Sequence, residues 1–221
     1  LHLSIRRQRQ MCIRDRYSVF TDYLEDKNYW GLSSLLRTGD YFNVQMCYHD
    51  IPERLNPFDY ETFDKNPSKG YAVVTNIETG LAEYLPMKNM HRNIDAVRAS
   101  ASMPLVSRPV EINGKLYLDG GLADSIPLLH AVTDGCRKNV VVMTKETGYR
   151  RVQPKHLELI KARYAKYPKV YELMANRAAA YNQQLDYLEA EVKNGTAFLI
   201  QPSHPNEAVS YTHLTLPTNR E

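Results

Sequence analysis

The chain has 221 residues, of which 43% are hydrophobic and 24% charged, with a formal net charge of +3. This composition is typical of a globular protein with one sizeable core, and it excludes a disordered or fibrous chain. No apolar run approaches the roughly 18 residues of a membrane helix, and no signal peptide opens the chain. The three cysteines form no C-x-x-C pair, which argues against a disulfide framework or a zinc site. We therefore predict a cytoplasmic protein without a metal or other cofactor.

The two ends differ in composition from the middle. Residues 1–16 hold five arginines without periodicity, and residues 209–221 show neither helical nor strand spacing. The strings MCIRDR and SYTHLTLPTNRE resemble translated sequencing-adapter read-through, so both ends are predicted to be artefacts. A real basic arm is the alternative for the first of them. Residues 17–208 alone have 22 Lys and Arg against 23 Asp and Glu, a balance that predicts no nucleic-acid partner.

Charge is distributed unevenly within the remaining chain. Residues 17–64 have nine acids and three bases, whereas residues 137–169 have ten bases and two acids. Two solvated faces are one interpretation of this asymmetry. The other is a peripheral contact between the basic segment and an anionic membrane surface near Arg150, Arg151 and Lys155.

The first half of the chain predicts short helices followed by two hairpins. Residues 17–63 are aromatic, acidic and interrupted by glycine and proline, which indicates short helices and loops. YAVVTNI at 71–77 and LAEYLPM at 81–87 flank the turn ETG and predict an antiparallel hairpin. IDAVRASAS at 94–102 predicts a short helix. VEINGKLYLD then predicts a second hairpin, with Asn113-Gly114 as a type I′ turn.

The segment after the second hairpin predicts a βαβ unit. Ser125 and Pro127 indicate the entry of a short helix that ends at Gly135. NVVVMT at 139–144 is a continuous apolar run, typical of a strand that is covered on both faces. Two amphipathic helices, over 155–167 and 169–194, and a last strand, TAFLIQP at 196–202, follow. The whole pattern predicts a mixed α/β layer fold.

One short stretch, KLYLDGGLADSIP at 115–127, contains a candidate functional residue. The apolar run stops at Asp119, and Gly120 and Gly121 follow at once. Ligands of open α/β sheets gather beyond the carboxyl ends of strands, and glycines let the backbone turn sharply and approach a substrate. Asp before Gly is also common in simple turns. The pattern alone therefore leaves open whether Asp119 is a catalytic base or a turn residue.

Several motifs together resemble the patatin-like phospholipase family. VRASASMP at 97–104 and YLDGGLADSIP at 117–127 carry the resemblance. YLEDKNYWGL, NPFDYETF, NVVVMTKETGYR and FLIQPSHP are similar to a bacterial branch of the family with a C-terminal helical extension. The resemblance implies a layered patatin-like α/β fold with a mostly parallel sheet flanked by helices. By this resemblance, residues 17–150 would be the C-terminal part of the patatin-like catalytic domain, and residues 151–208 would be a helical extension that ends in a strand.

The resemblance also implies a lipid acyl hydrolase, a serine esterase that uses a Ser-Asp dyad on lipid or other acyl-ester substrates. Asp119 would accept the proton of a serine hydroxyl, which then attacks an ester carbonyl and forms an acyl-enzyme. Gly120 and Gly121 would support the motif through their backbone. No metal or other cofactor takes part in this chemistry.

The chain departs from the family pattern at the nucleophile. It contains neither a G-x-S-x-G elbow nor a Gly-rich oxyanion loop. Ser33 and Ser68 each have only one of the two flanking glycines, and Ser100 and Ser102 lie in the helix that supports the site in the family. We therefore predict a fragment that is incomplete at its N-terminus, lacks the nucleophile and is inactive alone. The alternative is a non-catalytic α/β binding or interaction module in which Asp119 only caps a turn.

Overall fold

The computed structural model describes residues 22–23, 26, 28–154 and 157–204. Backbone contacts divide the chain into two compact units. Unit 1 comprises the described residues up to Ser125 together with Pro154–Arg177, and unit 2 comprises Ile126–Gln153 and the described residues from Ala178. The predictions of artefactual ends at 1–16 and 209–221 lie outside the described residues. The predicted boundary between residues 150 and 151 stays a prediction.

Unit 1 contains a four-stranded antiparallel sheet in the order β2-β1-β4-β3. Its strands are β1 (Tyr71–Asn76), β2 (Ala82–Pro86), β3 (Val110–Ile112) and β4 (Lys115–Asp119). Both predicted hairpins are confirmed, because β1 pairs with β2 and β3 pairs with β4 in antiparallel register. Asn113 and Gly114 have φ values of 53° and 76°, the positive pair that a type I′ turn requires.

The mixed helix and strand composition agrees with the predicted α/β class, but the prediction of a mostly parallel sheet is wrong. Every pairing in the larger sheet is antiparallel. The only parallel pair among the described residues joins β5 (Asn139–Val142) to β6 (Ala197–Ile200) in unit 2. The predicted βαβ unit is also wrong, since β4 and β5 lie in different sheets. The reason is that β1 and β3 occupy both edges of β4, so β5 cannot pair with it.

The helices follow the predicted amphipathic segments with small shifts at their ends. The described helices are α1 (Leu32–Thr38), a π-helical segment (Met46–Leu55), α2 (Tyr60–Asp64), α3 (Ile94–Ser100), α4 (Leu128–Thr133), α5 (Leu157–Arg163) and α6 (Pro168–Lys193). Ser125 does not cap α4, which begins after Pro127. None of the described helices is long and apolar enough to cross a membrane.

Strand β4 is covered on both faces, and this fixes the position of Asp119 at its end. Tyr117, 3% exposed, packs with residues of β1, β3 and α3, whereas Leu118, fully buried, packs on the other side with residues of α5 and α6. The second cluster consists of Ile77, Leu118, Leu122, Ile160, Tyr164, Val170 and Met174. Complete burial of one such leucine contributes about 2 kcal/mol. The end of β4 is therefore anchored before the chain turns.

Unit 2 places β5 and β6 over one hydrophobic cluster. The cluster consists of Ile126, Leu128, Tyr181, Leu185, Leu188 and Ala197, with Val141, Met143 and Leu199 packed against it. Val140 and Val142 point the other way and are 51% and 62% exposed. The prediction that residues 139–144 are covered on both faces is therefore wrong. An uninterrupted apolar run has the same appearance in sequence whether one face or both are covered.

Candidate active site at the end of strand β4

Asp119 is the last residue of β4, and the 3₁₀ turn Gly120–Leu122 follows it. We refer to residues 119–125 as the aspartate turn. Asp119 is half-buried, and its backbone N–H donates a 2.8 Å hydrogen bond to the carbonyl oxygen of Ser102, just beyond α3. The structure thus places the predicted residues Asp119, Gly120 and Gly121 in one turn and ties this turn to the RASAS segment.

The Asp119 carboxylate has a defined orientation. Its Oδ1 accepts a 2.6 Å hydrogen bond from the backbone N–H of Gly121. Hydrogen bonds of this kind favour the ionised form of a carboxylate and restrict its rotation. The contact is a turn cap, which is the role that the non-catalytic interpretation assigns to Asp119. It is compatible with a base as well, because a carboxylate has two oxygens and about four acceptor sites.

Gly120 is required by close packing between two backbones. It is buried, and a Cβ at this position would lie 2.3 Å from the carbonyl oxygen of Val73 in β1. Neither Gly120 nor Gly121 has a positive φ, so the turn does not depend on a backbone conformation reserved for glycine. Glycine is therefore needed at position 120 for its small size and not for a special backbone conformation. Only a residue without a side chain lets the aspartate turn lie directly on β1.

Thr75 of β1 joins this strand to the aspartate turn through hydrogen bonds of its side chain. It is fully buried, and its Oγ1 donates to the carbonyl oxygen of Asp119 at 2.8 Å and accepts from the N–H of Ala123 at 3.3 Å. The sequence reasoning missed this residue. The available signal was a hydroxyl inside the apolar strand YAVVTNI, since a buried polar group needs hydrogen-bond partners.

Thr75→Val is expected to destabilise the chain by about 1–2 kcal/mol, because the shape is kept while the N–H of Ala123 and the carbonyl of Asp119 lose a partner. Urea unfolding measures this loss. Thr133→Val is the matched control, since Thr133 is exposed and its hydroxyl donates to the carbonyl oxygen of Leu129 in the preceding helical turn. An equal effect of the two substitutions would contradict the assigned role of Thr75.

The remaining polar side chains of the turn also have partners. The hydroxyl of Tyr84 in β2 donates to Asp124 Oδ2, and the hydroxyl of Ser125 donates to the carbonyl oxygen of Gly121 at 2.7 Å. Ser102 is 4% exposed and donates its hydroxyl to the carbonyl oxygen of Arg98. These contacts stabilise the turn and the end of α3.

A second polar network ties the sheet together beside the turn. Glu83 of β2 accepts hydrogen bonds from Asn76 at 2.9 Å, Tyr117 at 2.7 Å and Lys115 at 3.4 Å. Burial opposes ionisation of Glu83, but these donors outweigh it and hold the pKa of this carboxyl below its usual value. Burial, with the hydrogen bond to Glu83, raises the pKa of Tyr117 to about 12. Tyr117 therefore remains a donor at neutral pH, two residues before Asp119.

No cluster of three or more histidine, cysteine or acidic side chains that could hold a metal ion occurs in the part of the chain that the structure describes. The aspartate turn itself contributes oxygens and backbone amides, which can orient a carboxylate and accept a proton. The absence of a cofactor stays a prediction.

Comparison with known protein families matches residues 2–132 to "Patatin-like phospholipase". The match covers more than half of the chain, so the chain belongs to the patatin-like phospholipase family. This confirms the family indicated by the VRASASMP and YLDGGLADSIP motifs, and it assigns the chain to a family of hydrolases that act on lipids. Residues 167–212 match a "Domain of unknown function (DUF6363)". The aspartate turn lies in the first match, and all of α6 lies in the second.

Proposed function

We propose that this chain contributes the general base of a lipid acyl hydrolase, and that Asp119 is this base in a Ser-Asp dyad. The supporting observation is the fixed position of Asp119: its carboxylate is oriented by Gly121, and its backbone is held by Ser102 and Thr75. A general base must lie within roughly 2.6–3.2 Å of the proton that it removes. A carboxylate held in one orientation supports this role, because it needs little reorganisation when it accepts the proton.

The chemical step uses Asp119 twice. Its carboxylate takes the proton of the serine hydroxyl while the serine oxygen attacks the ester carbonyl, and the protonated Asp119 then gives the proton to the leaving alcohol. In the second half, Asp119 removes a proton from water, the resulting hydroxide attacks the acyl-enzyme, and the proton returns to the serine oxygen as the fatty acid leaves. The base is regenerated after each turnover.

The serine that completes the dyad is proposed to lie outside this chain. No G-x-S-x-G occurs in the 221 residues, and the hydroxyls of Ser102 and Ser125 near the turn donate to backbone carbonyls. The Gly-rich loop that would stabilise the oxyanion is also absent from the sequence. We therefore propose that the chain alone does not catalyse ester hydrolysis.

The purified 221-residue chain is expected to hydrolyse p-nitrophenyl butyrate no faster than buffer, because nucleophile and oxyanion stabilisation supply the largest contributions to such catalysis. Initial rates at several protein concentrations measure this. The Asp119→Asn chain is the matched control and should give the same background rate. Turnover that depends on Asp119 would refute the proposed absence of the nucleophile.

The DNA upstream of the coding sequence tests the same proposal without an assay. A G-G-G-x-x-G loop and a G-x-S-x-G elbow should be encoded within roughly 60 residues before Tyr17. If the gene instead begins near Tyr17, the catalytic role of Asp119 falls and the non-catalytic binding module is the better interpretation.

A peripheral membrane contact through the basic segment 137–169 remains a proposal. Some of its basic side chains are engaged within the chain, so fewer of them are candidates for contact with lipid. Arg150 bonds Asp186 at 2.5 Å and Glu189 at 3.0 Å, and Arg151 stacks on the ring of Tyr181 at 4.4 Å. Lys155 lies outside the described residues. Arg137 and Lys138 are exposed and are the better candidates for contact with anionic lipid.

The chain is expected to co-sediment with phosphatidylglycerol vesicles at low salt. Each basic residue that lies at the vesicle surface should contribute about 1 kcal/mol to the binding free energy. Substitution of both Arg137 and Lys138 by Gln should reduce the bound fraction, and phosphatidylcholine vesicles are the uncharged control. Equal binding to both kinds of vesicle would argue against a basic contact.

A further inference from the structure

Helix α6 carries Arg177 on the side that packs against the core of unit 1. Val170 is fully buried and Met174 is 8% exposed, and both belong to the cluster that contains Leu118 and Leu122. Residues three or four apart share one face of a helix. Arg177 therefore lies one turn beyond Met174 on the same face, in the direction of the aspartate turn.

The guanidinium of Arg177 and the carboxylate of Asp119 converge above Gly121. A Cβ built on Gly121 would lie 3.0 Å from Asp119 Oδ1 and 3.8 Å from Arg177 Nη2. Both charged groups are thus within 4 Å of this Cβ position. The Nε atom of Arg177 is buried. Partly buried charges are screened much less by salt than exposed ones, so their attraction acts over this distance.

Two other charged groups around the turn have partners of their own. Within the turn, Asp124 adds a second negative charge and accepts a hydrogen bond from Tyr84 of β2. On α3, Arg98 is paired with Asp95 at 3.3 Å. Among the described contacts, the guanidinium that lies beside Gly121 of the turn is that of Arg177 on α6.

We propose that Arg177 is a positioning residue for Asp119, whose charge orients the carboxylate and stabilises it in the ionised form that a base requires. The proposal rests on the proposed function of Asp119. Arg177 belongs to the segment matched by the domain of unknown function, whereas Asp119 belongs to the patatin-like match. The C-terminal segment thus contributes a functional group to the site at the end of β4.

Carboxyl-carbon NMR of the ¹³C-aspartate-labelled 221-residue chain tests this directly. The Asp119 resonance is identified by its loss in Asp119→Asn, and its titration midpoint is followed with pH. Arg177→Gln is expected to raise the midpoint by about one pH unit, since a neighbouring guanidinium favours the charged form of a carboxyl. Arg177→Lys should restore most of the original midpoint. Arg163→Gln, which removes an exposed arginine from α5, is the matched control and should leave it unchanged.

Equal Asp119 midpoints in the Arg177→Gln and Arg163→Gln chains would overturn the proposal. Arg177→Met keeps the aliphatic stem of the side chain and gives the same comparison if Arg177→Gln does not fold. Because the titration needs no ester hydrolysis, the two hypotheses fail separately. The catalytic role is tested separately, by ester hydrolysis in a protein extended by a G-x-S-x-G segment. A shifted midpoint without Asp119-dependent hydrolysis in that extended protein would overturn the catalytic role alone, whereas Asp119-dependent hydrolysis there without a shift would overturn the role of Arg177 alone.

Discussion

Asp119→Asn is expected to lower the rate of ester hydrolysis by about 10³-fold in an extended protein, in which a G-x-S-x-G segment precedes residues 17–208. Asparagine has the shape of aspartate, and its amide oxygen can still accept the hydrogen bond from the N–H of Gly121. The turn is therefore kept, but the side chain cannot accept the proton of the serine. The kcat for p-nitrophenyl butyrate measures the effect, and urea unfolding confirms that the variant remains folded.

Asp124→Asn is the control that separates a base from a general need for negative charge in the turn. Asp124 lies in the same turn, and its carboxylate is engaged by the hydroxyl of Tyr84. Its substitution should change kcat by no more than a few-fold. If the two substitutions reduce kcat equally, or if Asp119→Asn retains activity, Asp119 acts only as a turn residue.

Gly120→Ala is expected to destabilise unit 1 by about 3 kcal/mol or more, which places it among the most damaging single substitutions. The added methyl group would lie 2.3 Å from the carbonyl oxygen of Val73. Both sides of this contact are backbone, and β1 cannot move away because it is paired with β2 on one edge and β4 on the other. The urea midpoint and the yield of folded protein measure the loss.

Gly70→Ala is the matched control for this prediction. Its φ is not positive, and a Cβ at this position would meet the nearest atom, Met87 Cβ, at 3.5 Å, which is an ordinary contact. The free energy of unfolding should therefore change little. Similar stability of the Gly120→Ala and Gly70→Ala chains would show that the aspartate turn can move away from β1, contrary to the geometry described above.

The two hairpins could be predicted from sequence because their signals are local. Asn113-Gly114 fixes a type I′ turn, and the alternating strands on either side carry their own pattern. The placement of Asp119 at the end of β4 follows from the same hairpin. The pairing of β4 with β1 could not be predicted in this way, since it joins strands that are not neighbours in the sequence. The mostly parallel sheet is implied by the resemblance to the family, and the βαβ pattern after the second hairpin points the same way. Neither signal specifies which strands pair, and β4 pairs with β1 and β3 instead of β5.

The residues that support Asp119 also divide into those that are close to it in sequence and those that are distant. Gly120 and Gly121 are adjacent to it in sequence and were predicted, whereas Thr75 and Arg177 reach it from distant positions. A threonine in a strand and an arginine in a long helix are unremarkable in isolation. Only the packing of β1 and α6 around the turn gives these two side chains a role, so they could be found only in the structure.

Covalent labelling of the extended protein with a fluorophosphonate tests the central claim most directly, because the reagent reports activation of the nucleophile without substrate binding. The labelled residue is located by peptide mass analysis, and the labelling rate is compared between the parent and Asp119→Asn. We expect the adduct on the serine of G-x-S-x-G, with labelling at least about 100-fold slower in the variant. Labelling of Asp119→Asn at the parent rate would contradict the assignment of Asp119 as the base.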